Sequence, residues 1–152
     1  MEDITDMVTE YDIGAQWRGM LEKNGCVTTR LENTGASLPD LFFCVKGLVI
    51  FHEMKMQRGK CIYTSHFQWA WNVKHSNYLR AWQLNYVVWQ NDQFKVFTIP
   101  QLKAAPQESA SYGKIKIKID ELIPVFVVEN DYECSEFVES ILNQAFKNRK
   151  PK

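Results

Sequence analysis

Residues 37–57 read SLPDLFFCVKGLVIFHEMKMQ: two apolar runs separated by Lys46-Gly47, a composition that asks for a buried β-hairpin. Into that hairpin the chain places Asp40, Glu53 and Lys55. Ionised groups are costly in a low-dielectric interior unless they have partners, so three of them in one apolar hairpin imply a use. If 48–56 is one strand, alternation puts Phe51, Glu53, Lys55 and Gln57 on one face and Ile50, His52, Met54 and Met56 on the other. Glu53 and Lys55 then stand roughly 6 to 7 Å apart along the strand. Gly47 permits the tight reversal, and Pro39 is tolerated at the outer end of the first strand, where Asp40 can approach the Glu53 face. Two carboxylates with an ammonium beside them suit Mg²⁺ or Mn²⁺.

Composition bounds the rest. With 152 residues, 45% of them hydrophobic, and aromatics in abundance (Phe 9, Tyr 6, Trp 5), the chain suits one folded domain with a sizeable core. The apolar runs are too short to span a membrane, and the acidic start MEDITD is unlike a secretory signal, so a cytoplasmic protein is expected. Cys26, Cys44, Cys61 and Cys134 are scattered without a paired motif and are read as reduced, structural thiols. His52, His66 and His75 lack the spacing of a zinc site. The formal net charge is zero, which argues against strong non-specific binding to nucleic acid at physiological salt. The charge is uneven, however. Lys46, Lys55, Arg58, Lys60, Lys74 and Arg80 lie in or near the hairpin region, whereas from Asp120 to Phe146 there is no Lys or Arg but seven acids. A basic working side and an acidic far side would reconcile the total with a nucleic-acid partner.

Periodicity and turn signals predict a helix over 11–23 ending at Asn24-Gly25, a strand over 26–31 and a polar loop over 33–38. The hairpin follows, then a turn at Arg58-Gly59-Lys60 and a helix from the N-cap Ser65 to about His75. A second hairpin, 84–89 with 93–99, turns at Asn91-Asp92. Residues 114–119 alternate strictly (KIKIKI) and read as a half-exposed strand whose lysines keep a sheet edge soluble, with phosphate contact as the alternative. Another strand is expected over 125–128 and a closing helix over 135–146, before a basic tail, 147–152.

The pattern Pro39-Asp40 … Glu53-Met54-Lys55 resembles the signature of the PD-(D/E)XK nuclease superfamily. Downstream, TSHFQWAW (64–71) is similar to the helix start seen in its small phage-type and VRR-NUC-like, Holliday junction resolvase-like members, and RLEN (30–33) also resembles that group. The resemblance covers about residues 10–100, with 101–146 as a C-terminal extension. It implies an α/β fold with a restriction-endonuclease-like core, a central mixed β-sheet flanked by helices. It further implies a Mg²⁺- (or Mn²⁺-) dependent DNA endonuclease that prefers branched DNA, acts as a homodimer and works in the cytoplasm (the host's, for a phage-encoded protein). Asp40, Glu53 and the Met54 backbone carbonyl would hold the metal, Lys55 would serve the attacking water, and Gln68 would position water, Lys55 or phosphate. Many members add an acid from the first helix. Glu10 is the candidate, with Asp12 and Glu32 as rivals, because Gly14 stands where that acid aligns. Arg58, Lys60 and His66 flank the site as candidate phosphate contacts. Trp69, Trp71, Trp82 and Trp89 are read first as core residues and only second as platforms for unpaired bases. Two other readings stay open: a catalytically inactive nucleic-acid-binding or protein-interaction module on the same fold, and an unrelated α/β binding protein in which the three charged residues form a structural ion pair.

Overall fold

The computed structural model describes residues 8–31 and 38–147. Glu32, most of the 33–38 loop, the acidic start and the tail beyond Lys147 lie outside the described residues. Helix α1 (Glu10–Lys23) begins at Thr9, whose hydroxyl and backbone N–H exchange hydrogen bonds with Asp12 in a capping box. Its stripe of Ile13, Trp17, Met20 and Leu21 is buried, and the chain leaves it through Gly25 at φ 84°. Strands β1 (Val27–Arg30), β2 (Leu41–Val45) and β3 (Leu48–Met56) follow as an antiparallel meander. The β2–β3 turn has Lys46 at φ 46° and Gly47 at φ 81°, the left-handed pair that a two-residue hairpin requires.

From β3 the chain crosses over through β4 (Cys61–Ser65) and α2 (His66–Ser76) to β5 (Leu84–Gln90), which lies parallel to β3. Strand β6 (Gln93–Thr98) returns antiparallel across a turn with Asn91 and Asp92 at φ 52° and 62°. Helix α3 (Ile99–Ala104), strands β7 (Gln107–Ala110), β8 (Lys114–Lys118) and β9 (Phe126–Val128), and helix α4 (Asp131–Phe146) complete the described chain. The central sheet has the order β1-β2-β3-β5-β6-β9, and a second sheet has the order β4-β8-β7. The expected class, α/β with a mixed central sheet flanked by helices, is what the chain adopts.

Strand alternation sends side chains into two cores. On one face Ile50, Met54, Val87, Trp89, Phe94 and Val96 pack against α1 and α4. On the other, Leu84, Tyr86, Val88 and Phe97 pack with Ile62, Trp69, Leu102 and Ile117 of the small sheet, α2 and α3. Residues beyond 100 therefore complete the molecule: β9 pairs with β6, and α4 supplies Cys134, Phe137, Val138 and Ile141 to the first core. Strand β8 lies between β4 and β7, so the expectation that its lysines protect a sheet edge is corrected. Strands β4 and β7 and helix α3 had no counterpart in the sequence reading; Gln107-Glu108-Ser109-Ala110 carries no β-former, and its pairing with β8 alone makes it a strand. No helix among the described residues is long and apolar enough to cross a membrane.

Replacing Gly47 by Ala puts a Cβ into the left-handed turn that sets the β2–β3 register. The expected outcome is a loss of about 1 kcal/mol in unfolding free energy, read from the urea midpoint at unchanged m-value.

Candidate active site

Three elements bring the charged residues together. The β2–β3 register pairs Leu41 with His52, so Asp40, one residue before β2, meets β3 just beyond the last ladder pair. There its Oδ2 accepts a hydrogen bond from the Met54 backbone N–H at 2.8 Å. Asp40 thus replaces the partner strand at this point. N–H and C=O of a strand residue address the same edge, so the Met54 carbonyl is directed toward the opening that Asp40 occupies. Glu53 and Lys55 share the other face of β3, as alternation requires, and are 0% and 6% exposed. Lys55 Nζ lies 3.4 Å from Glu53 Oε2 and donates to Gln68 Oε1 at 3.2 Å. Gln68 is held at the first turn of α2, where its backbone N–H caps onto the Ser65 hydroxyl at 3.0 Å.

Glu10, at the first turn of α1, lines the same cleft as Lys55 and Gln68, a space of about 830 Å³. It also lines the adjoining recess with Gly14 and Asp40. Its rival Asp12 is occupied by the Thr9 cap and is turned away. A Cβ on Gly14 would meet Met54 Cγ only at 3.8 Å, an ordinary contact, so the glycine is not sterically required and leaves room beside Glu10.

The electrostatics are those of an acid cluster short of positive charge. Burial, then the neighbouring Asp40 charge, pushes the Glu53 carboxyl well above its ordinary value, and Lys55 only partly offsets this. Burial also raises Asp40, against the Met54 N–H and Lys55, which favour its ionised form. For Lys55 desolvation acts to lower the pKa, but Glu53, Glu10 and Asp40 together outweigh it and hold the ammonium charged. Both Glu53 oxygens are buried without a hydrogen-bond partner. The Lys55 contact is thus an ion pair rather than a satisfied hydrogen bond, and a carboxylate that accepts no hydrogen bond at either oxygen is suited to a further cation.

Among the described residues no three side chains of His, Cys, Asp or Glu converge as a ready metal cluster. The donor set on offer is two carboxylates and one carbonyl. That fits Mg²⁺, which binds through one or two carboxylates and keeps water and phosphate oxygens as its remaining ligands. Zinc does not fit. His52 is 0% exposed among Trp17, Phe43 and Phe137, its Nδ1 accepts from Trp17 Nε1 at 3.0 Å, and burial holds its pKa down at about 3. His75 stacks on Trp71 at 3.6 Å.

Of the flanking candidates, Arg58 lines the cleft, Lys60 lines the next recess along the small sheet, and exposed His66 lines neither. Trp69 and Trp89 are core residues, and Trp71 and Trp82 pack against the two cores. Two groups were missed by sequence reasoning. Beside Glu53, the buried Tyr86 hydroxyl is bonded to Thr64 and Asn72, at 2.9 and 3.0 Å. Glu53 and Tyr86 are register partners, so this network braces the strand next to the site. The far wall of the cleft is the β7–β8 hairpin, with Ser111, Tyr112, Lys114 and Lys116. The KIKIKI alternation was its one visible signal.

No family model matches the chain, and no curated protein does. Among solved structures it is similar to a Holliday junction resolvase from Archaeoglobus fulgidus, at 16% identity over 70% of this chain and 80% of that one, with a TM-score of 0.49. It is also similar to a bacterial homing endonuclease, at 16% identity over 90% of this chain and 91% of the other, with a TM-score of 0.44. At such scores neither likeness bears on the chemistry.

The raised Glu53 pKa makes a stability prediction. The folded protein holds this proton more tightly than the unfolded chain, so the Glu53 contribution to metal-free stability is fully present below the ordinary value of 4.5 and is lost as pH rises through the elevated one. Asp40 acts in the same direction. Replacing Glu53 by Gln is expected to raise the metal-free unfolding temperature at pH 7 to 8 and to flatten its pH dependence, as read by calorimetry across pH 4 to 9.

Proposed function

We propose that this chain is a Mg²⁺-dependent DNA endonuclease of the PD-(D/E)XK kind on a restriction-endonuclease-like core. The observation that carries the reading is the buried Glu53 carboxylate, hydrogen-bonded at neither oxygen, beside Asp40 and paired at 3.4 Å with Lys55, which lines an open cleft. A purely structural ion pair has no need of a second and third acid or of a cleft leading to it. Asp40, Glu53 and the Met54 carbonyl would hold the cation, with Glu10 as a further, water-mediated ligand. Bound there, Mg²⁺ supplies charge neutralisation at the scissile phosphate and acidifies a coordinated water.

The chain's own groups do the rest. Lys55 is held charged by its acidic neighbours, so it acts as a donor that fixes the attacking water and stabilises charge developing on the phosphate, rather than as a resting general base. Gln68 fixes the Lys55 ammonium from the α2 side through its Oε1 and lines the cleft. Arg58 and Lys114 on the cleft wall meet the backbone of the bound strand. Branched DNA as substrate and a homodimeric arrangement, with one site per cut strand, complete the proposal. The zero net charge favours a second reading, a binding module without activity. The complete set of Asp40, Glu53, Lys55 and Gln68 opposes it.

Two measurements decide between them. With labelled linear, flapped and four-way DNAs, the wild type cuts in Mg²⁺ or Mn²⁺. Asp40→Asn and Lys55→Ala each lower the single-turnover rate by about 100-fold or more. Millimolar Mg²⁺ raises the unfolding temperature of the wild type but not of a protein with Asp40→Asn and Glu53→Gln combined. Binding of these DNAs without cutting leaves the binding module as the function, and neither binding nor cutting leaves a structural ion pair.

A further inference from the structure

The outer face of the small sheet carries a lysine row of which the proposed hydrolysis uses only the end at Lys114. In β8 the isoleucines turn inward, Ile117 at 0% exposure, and Lys114, Lys116 and Lys118 share the opposite face at the strand repeat of roughly 6.7 Å. Because β8 is the middle strand, protection of a sheet edge does not explain them. Two recesses run along this face. One opens at Lys55 and Gln68, the other reaches Lys118, and they share Arg58, Tyr63, Glu108 and Lys116, so they form one continuous groove. Two carboxylates line it: Glu108, which pairs with Lys116 at 3.4 Å, and Glu10, at the end that opens onto Lys55. Among the described residues no carboxylate forms a salt bridge with Arg58, Lys60, Lys114 or Lys118. In a chain of zero net charge this is a local concentration of uncompensated cations.

The end of the groove nearest the site carries an aromatic ring held out in solvent. Tyr112, at the tip of the β7–β8 hairpin, is 98% exposed and sits at φ 62°, followed by Gly113 at φ 67°. Left-handed backbone is unfavourable for a bulky side chain, and here no packing of the ring offsets the cost. The hairpin is nonetheless fixed to the site, since the Gly113 carbonyl accepts from the His66 N–H at the start of α2, two residues before Gln68.

A basic groove ending in an exposed ring is the combination that holds unpaired strands, with phosphates along the cations and a base stacked on the aromatic face. We propose that the outer face of the β4-β8-β7 sheet binds a single-stranded DNA arm, its phosphates on Lys114, Lys116 and Lys118 and an unpaired base on Tyr112, and delivers the adjoining phosphate to the cleft. The delivery step rests on the nuclease reading; the binding does not. A duplex offers Tyr112 no open base, so the substrate selected is DNA with an unpaired segment next to the cut.

The test is binding of a labelled oligo(dT) of about 15 nucleotides, and of a blunt duplex of the same length, to the full chain in EDTA, so that no cutting intervenes. The wild type is expected to bind the single strand more tightly. The combined Lys114→Ala, Lys116→Ala and Lys118→Ala variant should lower the slope of log K against log salt by about 2, as for three lost phosphate contacts on a single strand. Tyr112→Asn, which tolerates the left-handed backbone, should weaken single-strand binding roughly 10-fold at an unchanged salt slope, and Tyr112→Phe should restore it. Circular dichroism verifies that each variant is folded. Preference for the duplex, an unchanged slope in the lysine variant, or full affinity in Tyr112→Asn overturns the proposal. Single-strand binding with these dependences in a protein that cuts nothing sustains this inference and removes the nuclease reading. Cutting of blunt and flapped DNA alike by wild type and Tyr112→Asn does the reverse.

Discussion

Burial of the Glu53 carboxylate organises this molecule. A carboxylate at 0% exposure, with no hydrogen bond to either oxygen, is tolerated only because Lys55 stands 3.4 Å away and because a proton or a cation can be taken up when the pair is outnumbered. Asp40 and Glu10 make it outnumbered. Every neighbouring element is placed to hold that imbalance. Strand β2 starts one residue after Asp40, so that a carboxylate rather than a backbone carbonyl accepts the Met54 N–H. Helix α2 starts at His66 and aims Gln68 at Lys55. The buried Tyr86 hydroxyl, in the strand beside Glu53, is fixed by bonds to Thr64 and Asn72.

Charge segregates about this centre. Helix α4, rich in acids and without a Lys or Arg from Asp131 to Phe146, covers the α1 face of the central sheet. Lys114, Lys116, Lys118, Arg58 and Lys60 line the groove on the side of the small sheet. A chain neutral in total therefore gathers cations along its cleft.

The sequence displayed the parts of the site that depend on local rules. The left-handed Lys46-Gly47 turn, strand alternation and the apolar surroundings together place Glu53 and Lys55 on one face without reference to any distant residue. Ser65 as the α2 cap was legible for the same reason, whereas Gln68 was picked out by the resemblance of residues 64–71. Glu10 was preferred to Asp12 only for its place near the helix start, which leaves the two hard to separate. Both lie in the first helical turn, and only the Thr9 capping box, with Asp12 as its third helical residue, shows which one is spent on the backbone. The lysines of β8 were legible as a strand face and misplaced as an edge, since strand order is a long-range property. Strand β7, polar and short, forms because β8 is there to pair with it.

From residue order alone came an α/β chain with a charged hairpin at its heart and the identity of the groups gathered there, because periods of 2 and 3.6 and left-handed turns act over a few residues. Assembly in space settled that Asp40 caps the Met54 N–H, that Glu10 faces the cleft, that Tyr86 lies beside Glu53, and that the β7–β8 hairpin forms the opposite wall. Those contacts join residues up to about a hundred positions apart, and they depend on which sheet edge is left open and which face is covered, quantities that no local pattern encodes.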